Sequence, residues 1–242
     1  MEAGIRRYKK ELDYSYTLGP FPTFELLEAR PELAAEVCVS PSFNDAEKLF
    51  ALCKKLNVPC RFDQKTLDRI SNKEIAYAAC KFRKFSSRLK SDAPHVLLVN
   101  PSDMGNLGTI QRTMLAFGVR DLAIVEPCAD VFNPKAVRAT MGALFKLRVH
   151  VYPDFETSRT EFPQRDLFPF MLDGKEVIEL DRCPKSDCWT LIFGNEASGL
   201  PPEFAEVGRS IFIPQGPDVD SLNLAVSAAI GIYTFTRTLR EG

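Results

Sequence analysis

Past residue 95 the sequence repeats one pattern, a short apolar run followed by a stretch with helical periodicity. The runs are Val96-Leu97-Leu98-Val99, Leu122-Ala123-Ile124-Val125, Val149-His150-Val151-Tyr152, Phe168 to Leu172, Thr190-Leu191-Ile192-Phe193 and Ile211-Phe212-Ile213. Strands apolar along most of their length, with helices between them, predict an α/β fold with a mostly parallel sheet covered on both faces. In such sheets ligands bind beyond the carboxyl ends of the strands. The residues after Val99, Phe193 and Ile213 therefore carry most of the functional information.

Residues 1–90 read as a separate, smaller α/β unit. A basic arm or helix runs to Gly19-Pro20, Thr23 is placed to cap a helix through Ala29, and Val37 to Ser40 reads as a strand. Asn44, with Glu47 three residues on, predicts a capping box, and Leu49, Phe50, Cys53 and Leu56 recur at the spacing of one buried helix face. Val58 to Phe62, Gln64 to Ser71 and Ile75 to Phe82 then read as strand, helix and strand. The polar stretch Ser86 to Pro94 makes the best linker, which divides the chain into 1–90 and 91–242.

Charge follows the same division. Residues 1–90 hold 17 Lys/Arg against 12 Asp/Glu, and residues 91–242 hold 14 against 20. The cluster Lys81-Phe82-Arg83-Lys84-Phe85 interleaves basic and aromatic side chains as nucleic-acid surfaces do, although a strand end running into solvent would look the same. Seven cysteines without a CxxC pair, and only His95 and His150 beside them, predict free thiols in a reducing cytoplasm and no metal site. No run has the length of a membrane span, and MEAGIRRYKKELDY has no apolar core of a secretory signal.

Three strand ends carry unusual residues. After Val99, Asn106 stands where a helix cap would, Arg112 follows six residues on, and Gly118 ends the helix. After Phe193 comes Gly194-Asn195-Glu196-Ala197-Ser198-Gly199-Leu200, in which Gly194 permits close backbone approach and Gly199 a left-handed turn. After Ile213 come Gln215, Gly216 and Ser221-Leu222-Asn223, opening a helix to Arg237 whose residues Leu224 to Thr236 carry no charge. Such a helix is expected to be buried on all sides, with Ser221 and Asn223 in its first turn. Taken singly, each feature also suits a cap, a surface ion pair or a core helix. The glycines form neither GxGxxG nor a Walker loop, which argues against a dinucleotide or NTP protein.

Together these residues resemble the SpoU/TrmH family of RNA ribose methyltransferases, within the SPOUT group. The family's Asn-x-Gly-x-x-x-Arg is present as Asn106 to Arg112, its Gly-Asn-Glu-x-x-Gly-Leu as Gly194 to Leu200, and its Ile-Pro-x-x-Gly with Ser-Leu-Asn as Ile213 to Gly216 and Ser221 to Asn223. Lys135 to Ala143 is similar to the family's Arg-Ala-Ser-x-Gly stretch, with Thr140 in place of Ser. Residues 24–85 resemble the small substrate-binding domain, akin to RNA-binding ribosomal proteins, that many members carry. Its usual Asn-His-x-Gly is replaced by Ser71-Asn72-Lys73-Glu74-Ile75.

The resemblance implies a trefoil knot formed by the last strands and helix, a homodimer joined through that helix, and S-adenosylmethionine as cofactor. Gly194, Ile213, Gln215, Gly216 and Leu222 would hold the cofactor. Arg112, Asn106, Glu196, Ser221 and Asn223 would form the catalytic set acting on a ribose 2′-hydroxyl of ribosomal or transfer RNA. Lys81, Arg83, Lys84 and Arg138 would contact RNA. An arginine keeps its proton at ordinary pH, so Arg112 is expected to clamp a phosphate and stabilise the developing alkoxide, the identity of the base remaining open. Rival readings are a SPOUT enzyme acting on a base, a catalytically silent RNA-binding protein of the same fold, and an unrelated nucleotide-binding α/β protein.

Overall fold

The computed structural model describes residues 6–71, 75–172, 178–179 and 188–237. They form two compact units, the first from residues 1–85 and 130–146, the second from residues 86–129 and 147–242.

The first unit holds a four-stranded sheet ordered β1-β4-β2-β3, with β1 (Tyr14–Tyr16) and β2 (Ala34–Val39) antiparallel to β4 (Ala78–Arg83), and β3 (Cys60–Phe62) parallel to β2. Helices α1 (Pro20–Ala29), α2 (Ala46–Lys55) and α3 (Gln64–Ile70) complete it. Here the structure corrects several expectations. The residues before Gly19 supply a strand, because Tyr14 to Tyr16 can pair with Lys81 to Arg83 and bury Ser15 and Tyr16. Helix α1 starts at Pro20, and Thr23 lies inside it, its hydroxyl bonded back to the Gly19 carbonyl at 2.8 Å. Asp45, not Asn44, stands at the start of α2, and it makes no side-chain cap. Asn72, Lys73 and Glu74 lie outside the described residues.

Residues 130–146, which the sequence places with 91–242, cluster with this first unit. The reason is aromatic. Phe145 meets Phe82 edge-on at 5.2 Å, and Phe132 meets Phe85 at 5.3 Å. The segment contributes α5 (Pro134–Ala139), and Gly142 lets the chain pass Glu25. A Cβ on Gly142, at φ 84°, would lie 2.4 Å from Glu25 Cβ.

The second unit is built on five parallel strands in the order β7-β6-β5-β10-β8. They are β5 (His95–Val99), β6 (Asp121–Val125), β7 (Arg148–Tyr152), β8 (Asp166–Pro169) and β10 (Trp189–Phe193). Strands β5, β6 and β10 are buried at every residue, which accounts for their unbroken apolar runs. The sixth expected strand is not in this sheet. Ile211–Phe212 (β11) pairs in parallel with Ile178–Glu179 (β9). Phe170 N–H still bonds Ile192 O at 2.9 Å, but Met171 N–H turns to Ile211 O at 2.9 Å, which explains why β8 stops at Pro169. Helices α4 (Met104–Ala116), α6 (Phe155–Glu161) and α7 (Leu224–Arg237) belong to this unit, and α4 packs on α7.

The expected linker is not a free tether. Leu89 is buried in the core with Leu97 and Val99, Ser87 N–H bonds Val149 O at 3.0 Å, and Lys90 N–H bonds Asp121 Oδ1 at 2.9 Å. Arg165 donates to the carbonyls of Ser91 and Ala93, so a polar strap is held by backbone bonds that composition does not reveal. Helix α7 also departs from expectation. Its inner face is buried, and Gly231 permits close approach to Phe170 and Phe193, but Val226 and Tyr233 are 47% and 51% exposed. Cys38, Cys53, Cys60, Cys80, Cys128 and Cys188 are free thiols, and Cys183 lies outside the described residues.

Candidate active site

Strand order reverses between β5 and β10, since β6 and β7 lie on one side of β5 and β8 lies beyond β10. The loops leaving the carboxyl ends of these two strands diverge there and open a crevice. Residues 100–106 leave β5 and residues 194–200 leave β10.

The turn after β5 is set by Asn100, which adopts a left-handed conformation at φ 53°. Its N–H bonds Val125 O at 3.1 Å, and its carbonyl accepts the Asn195 side-chain amide at 2.8 Å, tying three strand ends together. Helix α4 then begins at Met104. Asp103 is its cap, accepting the Asn106 N–H at 2.7 Å, so Asn106 is the third helical residue and not the cap. The correction has a consequence, because an Asn relieved of capping has its side chain available elsewhere.

That side chain joins the three motifs. Asn106 Nδ2 donates to Glu196 Oε1 at 3.3 Å, and Asn223 Nδ2 donates to Asn106 Oδ1 at 3.1 Å. Glu196 also accepts the Ser102 N–H at 3.0 Å, the Ser102 hydroxyl at 2.7 Å and the Asp103 N–H at 3.1 Å. Partial burial pushes the Glu196 carboxyl up, but the bonds from Ser102 and Asp103 outweigh it and hold the pKa at about 2. Asn223 caps α7 through Oδ1, which accepts Ala225 N–H at 2.8 Å. Ser221 is therefore not the cap, the helix starting three residues later than expected.

The 194–200 loop closes on itself, with Asn195 and Gly199 exchanging backbone bonds of 3.1 and 2.9 Å and Gly199 at φ 67°. A Cβ on Gly194 would stand 2.1 Å from the Gly199 carbonyl carbon and 2.3 Å from Leu200 N, so only glycine fits. Beside this loop lies a cleft of about 380 Å³, bordered by Gly194, Glu196, Ile213, Gln215, Ser221 and Leu222. Its walls mix apolar side chains such as Phe170 and Phe193 with polar residues of the loop such as Asn195, Glu196 and Ser198. Gly216 is not among the lining residues.

Arg112 stands apart from the cleft. Six residues at 100° each place it about 120° around the helix from Asn106 and about 9 Å along it. It is exposed, and among the described residues it makes no hydrogen bond or ion pair. The four expected RNA contacts all lie in the first unit. Arg83 and Arg138 are exposed, Lys81 sits 4.2 Å over the Tyr14 ring, and Lys84 donates to Lys10 O at 2.7 Å. Burial pushes the Lys84 ammonium below its ordinary pKa. Among the described residues no group of three His, Cys, Asp or Glu is placed to hold a metal, and no helix is long and apolar enough to cross a membrane.

Sequence reasoning missed Ser102, Asp103, Asn100 and the Asn195 side chain as parts of this network. Asp103 had a signal, since an Asp three residues before Asn106 fits a cap. The other three depend on which strand ends are neighbours.

One measurement tests the network. Glu196→Gln would place an amide NH₂ against donors that now point at a carboxylate oxygen, and lower stability at neutral pH. Because the native pKa is depressed, the carboxylate contributes stability fully above its ordinary range and loses it as pH falls toward about 2. The difference between parent and variant in urea midpoint should shrink over that interval. A difference constant from pH 7 to 3 would show that ionisation of Glu196 does not matter.

A parallel α/β sheet with a mixed apolar and polar cleft at its switch point defines a ligand-binding α/β protein. More narrowly, the chain belongs to the SpoU rRNA Methylase family, whose pattern matches residues 93–233. It is 31% identical over 143 residues to the 23S rRNA (guanosine(2553)-2'-O)-methyltransferase RlmP of Bacillus subtilis, covering 58% of this chain and 57% of that protein. It is 33% identical over 147 residues to the 23S rRNA (adenosine(1067)-2'-O)-methyltransferase of Streptomyces laurentii, covering 59% and 53%. The chain thus spans about half the length of these relatives. The fold is similar to the crystal structure of the SpoU methyltransferase AviRb from Streptomyces viridochromogenes with AdoMet, with a TM-score of 0.82, 20% identity, and coverage of 99% and 96%.

Proposed function

We propose that this chain is an S-adenosylmethionine-dependent RNA methyltransferase acting on a ribose 2′-hydroxyl, in ribosomal or transfer RNA. The observation that carries the reading is the Glu196–Asn106–Asn223 chain, which links all three motifs by side-chain hydrogen bonds next to a cleft bordered by Glu196, Ser221 and Leu222. Family membership and the relatives' ribose-specific names support it over base methylation.

The cleft suits the cofactor. Apolar walls such as Phe170 and Phe193 accept an adenine, and polar residues of the 194–200 loop border the same space. Gly194, Ile213, Gln215 and Leu222 would hold it, with Gly216 shaping the turn between them. Bound there, S-adenosylmethionine supplies an electrophilic methyl group on a sulfonium. The protein's part is to hold the 2′-oxygen in line and to stabilise the charge that grows on it as its proton leaves. Glu196 does not take that proton, because four donors already occupy its carboxylate. Its role is to fix Asn106 and the 102–103 turn. Asn106 and Asn223 orient the ribose, Ser221 offers a hydroxyl at the cleft wall, and Arg112 clamps the adjacent phosphate.

Arg112 lies outside the cleft of its own chain, and Val226 and Tyr233 leave an apolar stripe open on α7. Both features support a homodimer packed through α7 in which each chain lends its Arg112 to the partner's cleft. The knot of the last strands and helix, and RNA binding by the first unit through Arg83, Arg138, Lys81 and Lys84, belong to the same reading, as does a cytoplasmic setting for its free thiols.

The test is transfer of labelled methyl from S-adenosylmethionine to ribosomal and transfer RNA, followed by alkaline hydrolysis. Ribose methylation leaves the label in alkali-resistant dinucleotides, since a blocked 2′-oxygen cannot attack the neighbouring phosphate. Label recovered in mononucleotides would establish base methylation instead. No transfer and no cofactor binding would favour the silent RNA-binding protein.

A further inference from the structure

Apart from the cleft of the second unit, the first unit has a cavity of its own. It measures about 200 Å³ and is bordered by Gly19, Pro20, Ser71, Ile75, Tyr77 and Arg138. Whole drug-sized ligands occupy roughly 300–1,000 Å³, so this space suits a single ring.

One residue that borders it is an aromatic with firm backing. Tyr77 is 42% exposed and stacks on Phe43 with centroids 6.3 Å apart and planes 28° from parallel. Phe43 does not border the cavity, so it supports the tyrosine from outside it. The backbone around Tyr77 is also fixed. Ser40 N–H bonds Tyr77 O at 2.8 Å, and Gly19 N–H bonds Ala78 O at 2.9 Å. Phe21, Ile75, Tyr77 and Met141, four exposed large apolar side chains, either border the cavity or lie within three residues of one that does. Ile75 and Tyr77, 79% and 42% exposed at one cavity, are apolar surface of the kind that marks a contact site.

Charge decides the kind of partner. Arg138, an exposed residue near the end of α5, borders the cavity, and the unit as a whole holds 18 Lys/Arg against 13 Asp/Glu. An aromatic platform with an arginine beside it is the arrangement that takes an unpaired base on the ring and its phosphate on the guanidinium. We propose that this cavity binds one unstacked nucleobase of the RNA substrate, packed on Tyr77, with a flanking phosphate held by Arg138. The proposal rests on the RNA reading above and adds the place and the chemistry of a second contact, on the opposite end of β4 from Arg83.

The experiment uses the full chain and a single-stranded RNA 12-mer containing one 2-aminopurine, whose fluorescence is quenched on stacking. Affinity is measured between 50 and 200 mM salt, with S-adenosylmethionine binding followed by calorimetry on the same samples. Tyr77→Ala should weaken RNA binding about tenfold and remove the quenching, with the salt slope unchanged. Tyr77→Phe keeps the ring and should behave as the parent. Arg138→Gln should lower the salt slope by about one, leaving the quenching in place. Cofactor binding should be equal in all four proteins. Parent-like affinity and quenching in Tyr77→Ala would overturn the site and leave the methyltransferase reading standing. A parent that binds no RNA would overturn the site as well. A parent that binds RNA through Tyr77 but binds no cofactor would support the site and sink the enzyme.

Discussion

Replacing Arg112 with alanine is expected to lower methyl transfer to RNA by about 10²–10³-fold while cofactor binding stays as in the parent. The size follows from what the side chain does. A guanidinium cannot act as a base at ordinary pH, so its contribution is a fixed positive charge beside the oxygen on which negative charge develops. Removing one preoriented donor of that kind has effects of this order. Cofactor binding is spared because the proposed partner of Arg112 is the RNA phosphate and not the cofactor. Arg112→Lys should recover only part of the rate, since a single ammonium replaces a fork that grips two phosphate oxygens. Initial rates with tritiated methyl donor, paired with calorimetry for the cofactor, test the claim. Unchanged turnover in Arg112→Ala would remove this residue from the mechanism. Mixing that variant with a cleft-defective chain offers a separate check on shared sites, because hybrid dimers would regain activity only if the arginine serves the other chain's cleft.

Gly194→Ala is expected to abolish cofactor binding and to destabilise the second unit. The added methyl group would meet the Gly199 carbonyl carbon at 2.1 Å, the Gly199 carbonyl oxygen at 2.3 Å and Leu200 N at 2.3 Å. All three are backbone atoms, and no rotamer change relieves them. Overpacking typically costs about 1–3 kcal/mol, and a collision with main chain belongs at the upper end or beyond. The 194–200 loop would have to open, breaking the paired bonds between Asn195 and Gly199 and withdrawing Glu196 from Asn106. The control is Gly216→Ala, where a Cβ meets nothing within 4 Å. Thermal unfolding and cofactor titration of both variants separate the outcomes. Equal cofactor affinity in Gly194→Ala and the parent would refute the loop geometry.

Much of the second unit was readable from residue pattern because its strands are buried on both faces and so advertise themselves as apolar runs. The motif residues could also be named, since Gly194, Asn106, Glu196 and Asn223 stand at strand ends where a core has no need of them. What pattern did not reveal was which of them touch. Asn106 reads as a cap from its position before an apolar stretch, and only the competing carboxylate of Asp103 frees its side chain for Glu196 and Asn223. Ser221 reads as a cap for the same reason and yields to Asn223, whose carbonyl oxygen reaches the first helical amides. The basic cluster at Lys81 to Lys84 looked like one surface. Strand geometry and neighbouring rings divide it, leaving Arg83 in solvent while Lys84 satisfies the Lys10 carbonyl. Ser86 to Pro94 looked like a tether because its side chains are polar, whereas its attachments run through backbone groups and one buried leucine.

The passage of residues 130–146 into the first unit has a consequence for how this protein is made. Phe132 and Phe145 supply part of the packing around Phe82 and Phe85, so the front unit is incomplete when residue 85 leaves the ribosome. Its last pieces arrive only after β5, α4 and β6 have been synthesised, which at about 5–20 residues per second means a wait of several seconds. During that wait an unfinished aromatic surface is open to other chains. Nascent-chain folding of the front unit should therefore be triggered by emergence of residue 146, and a fragment ending at residue 85 should be a poor substitute for the natural unit.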